Sequence, residues 1–177
     1  METGLSRKPI VLVGLPGSGK STVARLAAAT LGAPCADLDE AVAAVAGKTV
    51  SRIFAEDGER AFRTLEKTLG EEALRGPPAV VATGGGYMED PERRRAVLAA
   101  GLVIYLATSP AVAAQRVRGT AGRPLLDGLE AEVRLRELLA RRESGYREAA
   151  VTVTTDDLSP HEVASAVVKL AREQGGW

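Results

Sequence analysis

Residues 14 to 21 read Gly14-Leu15-Pro16-Gly17-Ser18-Gly19-Lys20-Ser21, a spacing of glycines, lysine and hydroxyl that suits a polyphosphate. Successive backbone N–H groups of such a loop can surround an anion, and a helix opening behind them points its positive end at it. Lys20 can reach β- and γ-phosphates, and the Ser21 hydroxyl is an oxygen ligand for Mg²⁺. Context decides between this and a glycine-rich surface turn. The apolar run Ile10-Val11-Leu12-Val13 comes before the loop and the Ala- and Leu-rich stretch from Thr22 to Leu31 comes after, the strand–loop–helix order that the chemistry needs. A nucleoside triphosphate is the expected ligand, with Gly17, Ser18, Gly19, Lys20, Ser21 and Thr22 at its phosphates.

Four further constellations could do chemistry. In Asp37-Leu38-Asp39 an extended backbone points both acids the same way. Such a pair can hold Mg²⁺ or its water and accept hydrogen bonds from an acceptor hydroxyl; Asp39 could equally cap a following helix. Arg63 and Glu66 are three apart, with Glu59 one turn earlier, so they share a helix face; alone, this reads as a solvated charge ladder. Gly84-Gly85-Gly86 after an apolar run suits close approach of a ligand, or a plain turn. The stretch 116–128 holds Arg116, Arg118, Arg123 and several glycines, the makings of a lid that swings a cation onto phosphates, or of an ordinary exposed loop. Arg141 and Arg142 near a helix end suit the dipole as well as any ligand.

These residues need elements to place them, and the chain alternates strand and helix in the manner of a parallel sheet. A second strand is expected over Ala33–Leu38, then a helix over Asp39–Ala46 ended by Gly47, and another after Ser51 as N-cap. Phe62, Leu65, Leu69 and Ala73 recur at helical spacing between Gly58 and Arg75. Ala79–Ala82 reads as a third strand, Leu102–Leu106 as a fourth, and Val151–Thr154 as a fifth. Asp90-Pro91, Ser109-Pro110 and Ser159-Pro160 each supply a cap and a proline at N1. The expected fold is a doubly wound three-layer α/β/α domain on a five-stranded parallel sheet, with ligands beyond the carboxyl ends of the strands.

Composition narrows the partners. With 23 Lys+Arg against 23 Asp+Glu, no net charge draws the chain to nucleic acid or a membrane surface. The one cysteine, Cys35, fits a reducing compartment. No apolar run reaches membrane-spanning length, and residues 1–9 lack the apolar centre of a signal peptide. A single domain over 1–177 in the cytoplasm, taking small molecules, is expected.

Taken in order, the motifs resemble those of the shikimate kinases. The likeness rests on the 14–21 loop, Asp37-x-Asp39, Ile53-Phe54 with Gly58-Glu59 and Phe62-Arg63-x-x-Glu66, Gly84–Gly86, Arg123-Pro124-Leu125-Leu126, and Arg142 four residues before Tyr146. It implies a P-loop kinase fold and transfer of the γ-phosphate of MgATP to the 3-hydroxyl of shikimate by a monomer, with a substrate region near 37–66 and a lid near 116–128. Under the resemblance, Lys20, Asp37 and Arg123 are catalytic, and Ser21 and Asp37 serve the metal. Asp39, Arg63, Gly84, Gly85, Gly86 and Arg142 bind shikimate, with Glu66 orienting Arg63. Arg116 and the region of Pro160 flank the adenine. Where some relatives carry a further arginine before the last helix, this chain has Thr155-Asp156-Asp157-Leu158-Ser159. Other readings are a gluconate or nucleoside monophosphate kinase, or a non-catalytic ATP-binding module. Neither calls for the Arg63, triple-glycine and Arg142 set together.

Overall fold

The strands stack in the order β2-β3-β1-β4-β5, all parallel, in a computed structural model that describes residues 6–117 and 129–177. They are β1 (Ile10–Val13), β2 (Cys35–Asp37), β3 (Val80–Ala82), β4 (Leu102–Ala107) and β5 (Val151–Thr154). The helices between them are α1 (Lys20–Leu31), α2 (Leu38–Ala46), α3 (Val50–Glu56), α4 (Gly58–Arg75), α5 (Pro91–Ala100), α6 (Pro110–Val117), α7 (Leu129–Tyr146) and α8 (Pro160–Gln174). A short 3₁₀ turn, Tyr87–Glu89, follows the triple glycine.

β1 is the central strand and is buried along its whole length, which is why it reads as an unbroken apolar run rather than an alternating one. Its alternate side chains serve two cores. Ile10 and Leu12, with Val80, Ala82, Leu102, Ile104 and Leu106, meet Val23, Ala24 and Ala27 of α1 and Val163, Val167 and Ala171 of α8. Val11 and Val13, with Val81, Val103 and Tyr105, meet Leu38, Tyr87, Met88, Val97 and Tyr146 on the other face. The helices leaving β1 and β3 therefore lie on opposite faces of neighbouring strands, and a crevice opens between the carboxyl ends of those two strands.

Two expected boundaries move. The second strand stops at Asp37, and Leu38 is already helical; Leu38 turns into the core of the second face instead of continuing the pleat. The cap of α3 is Thr49, whose hydroxyl accepts from the Arg52 N–H at 3.3 Å, and Ser51 lies inside the helix. The expected caps Asp90 and Ser159 are in place, the latter in a capping box with Glu162. At the amino edge of the sheet, opposite the crevice, residues 7 and 8 meet residues 175–177. Lys8 N–H donates to Gly175 O at 2.9 Å, the Trp177 indole N–H donates to Lys8 O at 2.9 Å, and the Arg7 guanidinium lies 5.1 Å from the Trp177 ring centroid.

Candidate active site

A cleft of about 1430 Å³ occupies the carboxyl edge, and the 16–23 stretch forms its floor. Gly17 has φ +84°, and a Cβ there would stand 2.7 Å from Ala113 O, so only glycine lets the loop lie against α6. Lys20 opens α1 and is buried, its Nζ donating to Gly14 O at 2.9 Å and Leu15 O at 2.8 Å. The first turn of α1 carries no acid, leaving its N-terminal N–H groups a positive end suited to phosphate. Ser21 and Thr22 line the cleft beside them. Among the described residues no group of three or more His, Cys, Asp or Glu could cage a metal ion. The donor set fits an ion held by one or two protein oxygens and by substrate phosphates, as Mg²⁺ usually is.

The two acids at the end of β2 have separate duties. Asp37 Oδ1 accepts from the Asp39 and Glu40 N–H groups at 3.1 and 3.2 Å, so the capping role considered for Asp39 belongs to Asp37. Asp39 stands in the first turn of α2 and lines the cleft.

Arg63 and Glu66 are not a solvated ladder. Glu66 is fully buried and Arg63 is 24% exposed at its side chain, with Arg63 Nη1 donating to Glu66 Oε2 at 2.8 Å. Burial pushes the Glu66 carboxyl above its ordinary pKa, against the pull of the arginines. Burial also works to lower the Arg63 pKa, but the Glu66 charge and its hydrogen bond outweigh that and hold it above the usual value. Two of the three glycines after β3 face this pair. A Cβ on Gly84 would stand 2.4 Å from Glu66 Oε1 and 3.0 Å from Asp39 Oδ1; on Gly86, 2.4 Å from Arg63 Nη2 and 2.9 Å from Glu89 Oε2. At Gly85 it would meet Pro16 Cδ at 2.9 Å and Arg142 Nη1 at 3.2 Å. The triple glycine thus makes room for the protein's own acids and arginines, and brings the phosphate loop into contact with them.

Arg142, on α7, is paired through Nε with Glu89 Oε1 at 3.1 Å, and its side chain is 9% exposed. One turn on, the Tyr146 hydroxyl donates to Gly85 O, and its ring stacks on Tyr105 at 5.1 Å between centroids. Burial raises the Tyr146 pKa, which keeps the hydroxyl a donor. Across the cleft, Arg116 donates to Thr155 Oγ1 at 3.0 Å and Thr155 O at 2.7 Å. Asp156 is occupied too, its Oδ1 accepting from the Ser109 N–H at 2.9 Å. Arg116, Leu158 and Pro160 line this end of the cleft. Arg123 and most of the expected lid, 118–128, lie outside the described residues.

The cleft therefore gathers Gly17–Thr22, Asp39, Arg63, Gly84–Gly86, Arg116 and Arg142; Asp37 stands beside it as a cap. Sequence reasoning passed over Arg93 and Glu89. Arg93 is 8% exposed and donates Nη1 to Glu66 Oε2 at 3.1 Å, Nε to Tyr87 O at 2.7 Å and Nη2 to Gly86 O at 3.4 Å. Its signal was present. Arg93 and buried Val97 are four apart on one helix face, although the run Arg93-Arg94-Arg95 looks like a wet surface.

A family model described as shikimate kinase matches residues 16–172. The shikimate kinase of Thermobifida fusca (strain YX) is 46% identical over 167 residues, covering 93% of this chain and 96% of that protein. The shikimate kinase of Symbiobacterium thermophilum is 43% identical over 169 residues, covering 94% and 97%. Among solved structures, a shikimate kinase from Acinetobacter baumannii in complex with shikimate superposes with a TM-score of 0.88 at 34% identity, over 95% of this chain and 94% of that one.

Proposed function

Because the chain belongs to the shikimate kinase family, we propose that its cleft carries the γ-phosphoryl group of ATP to the 3-hydroxyl of shikimate. The observation that carries this reading is the gathering of Arg63, Arg142 and Asp39 in one cleft with the phosphate loop. Two guanidinium groups suit a carboxylate, since each planar fork can meet both oxygens. An acid beside them suits hydroxyls.

The roles follow from placement. Lys20 and the amides of Gly17 to Thr22 hold the ATP phosphates, and Arg116 with Pro160 flanks the base. Arg63 and Arg142 clamp the shikimate carboxylate, Asp39 accepts from its hydroxyls, and Gly84, Gly85 and Gly86 form the wall behind it. Tyr146 fixes the Gly85 carbonyl, and the proposed donor to the substrate is the backbone N–H of Gly85. The shikimate oxygen bonds to the γ-phosphorus as the bond to the β–γ bridging oxygen breaks, and ADP leaves. Little covalent work falls to the protein in so loose a transition state; positioning and charge neutralisation dominate. Arg123 is the proposed lid cation. When bound, Mg²⁺ neutralises charge on the β- and γ-phosphates, and Ser21 is placed to hold it with Asp37 nearby. The hydroxyl proton departs late, so the proposed part of Asp37 is to position rather than to act as base. A monomer in the cytoplasm is the proposed setting, and the lone Cys35 suits a reducing compartment.

The test is ADP release with MgATP and shikimate, gluconate, AMP, CMP or water as acceptor. Shikimate-dependent turnover is expected. Arg63→Ala or Arg142→Ala should each raise KM for shikimate by about ten- to a hundredfold, the worth of roughly 1.5–3 kcal/mol in a charged hydrogen bond, with KM for ATP unmoved. Turnover with another acceptor alone would sink the carboxylate clamp.

A further inference from the structure

Glu66 is asked to serve two cations. Its Oε2 takes a hydrogen bond from Arg63 Nη1 at 2.8 Å and another from Arg93 Nη1 at 3.1 Å. Its Oε1 is buried with no hydrogen-bond partner among the described residues. The whole side chain is inaccessible to solvent, and Arg93 is nearly so, at 7% of its side chain. Arg63 alone of the three reaches the cleft.

The charges decide what Arg63 can offer. A single buried arginine–glutamate pair is close to neutral and presents little field to an incoming carboxylate. Arg63 also meets Glu59 Oε1 at 3.3 Å, but that side chain is 65% exposed and water screens it. At the buried carboxylate two guanidinium groups leave an excess positive charge, and away from water that excess counts for far more than it would at the surface. Arg93 is held for this place. Its Nε and Nη2 are fixed by the Tyr87 and Gly86 carbonyls, and its guanidinium lies 4.7 Å from the Tyr87 ring centroid. The long helix α4 makes space for that ring with Gly70, where a Cβ would stand 2.4 Å from the Tyr87 hydroxyl.

On the reading that Arg63 clamps the substrate carboxylate, we propose that Arg93 is a positioning residue for shikimate. By sharing Glu66 it keeps Arg63 from being neutralised. Without Arg93, Glu66 competes with shikimate for Arg63.

The experiment compares KM for shikimate and for ATP in the wild-type chain, Arg93→Met, the double variant R93M/E66Q, and Arg95→Met as an exposed control on the same helix. Arg93→Met should raise KM for shikimate about tenfold, on the scale of one charged hydrogen bond. KM for ATP should stay within about twofold of wild type, and Arg95→Met should match wild type. Removing the Glu66 charge as well should return KM for shikimate to within about threefold of wild type, since only the exposed, water-screened Glu59 then faces Arg63. A merely structural role gives no such recovery. Should Arg93→Met fold poorly with its stranded carboxylate, Arg93→Gln keeps a hydrogen-bond donor for Glu66 without the charge, and the same rise of about tenfold in KM for shikimate is expected of it. A double variant with KM still raised tenfold, or an Arg93→Met variant that binds shikimate like wild type, overturns the role of Arg93. Wild-type chain that leaves shikimate unphosphorylated overturns the clamp reading itself, and shows before any variant is made.

Discussion

Asp37 closes β2 and caps α2 with one carboxylate oxygen, Oδ1, while the proposed mechanism asks the same group to serve the metal. The two duties separate by substitution. Asn caps helices about as well as Asp, whereas Ala loses roughly 0.5–2 kcal/mol. Asp37→Asn should therefore melt like wild type and lose shikimate phosphorylation, and Asp37→Ala should lose both. Full turnover by Asp37→Asn in a coupled ADP assay would reduce Asp37 to a cap. The glycines after β3 show what a sequence hides at this scale. Gly84-Gly85-Gly86 reads as an invitation to a ligand, yet each hydrogen in place of a methyl yields to Glu66, Asp39, Arg63, Arg142 or Pro16. Close approach was legible; the partner was not, because it depends on side chains some twenty to seventy residues away in the chain.

Local rules wrote most of the elements. The cap-and-proline pairs at 90–91 and 159–160 and the Gly32 and Gly47 ends stand where short-range chemistry puts them. Where a tertiary demand intervened, local reading failed. Burial of Leu38 bends the chain into α2 one residue early, and burial of Glu66 turns a surface ladder into a core ion pair. Arg93 escaped notice for the same reason, since an arginine among arginines reveals its burial only by the helical phase it shares with Val97. The Asp90 cap matters to that site because α5 carries Arg93. Asp90 Oδ1 accepts from the Arg93 N–H at 2.8 Å, and this bond, before any other cause, lowers its pKa from the ordinary 3.8. A carboxyl with a lowered folded pKa stabilises above its unfolded pKa and stops doing so as pH falls through the folded one. Asp90→Ala should cost about 0.5–2 kcal/mol at neutral pH, and urea melts should show the gap narrowing below pH 3.8. A gap that stays constant into acid would mean the carboxylate charge is not what stabilises the cap.

Across the described residues, chemistry sits at the carboxyl edge of the sheet, and Lys8 is fastened to Gly175 and Trp177 at the amino edge. β1 connects the two, delivering the phosphate loop at one end and continuing from the Lys8 clasp at the other. No helix among the described residues is long and apolar enough to cross a membrane. The clasp has an optical consequence. Trp177 is the chain's single tryptophan, so emission excited in the indole band alone, beyond the absorption of the tyrosines, comes entirely from the end of the sheet remote from the substrates. Half-shielded against the α1–α8 core and stacked under Arg7, the indole should brighten or redden only when that core opens. Saturating ATP and shikimate should leave the emission maximum of the folded chain unchanged while moving its denaturation midpoint upward by mass action. A ligand-induced shift without denaturant would mean that the two edges communicate. If none is seen, the same fluorophore reads conformational stability cleanly under any substrate load.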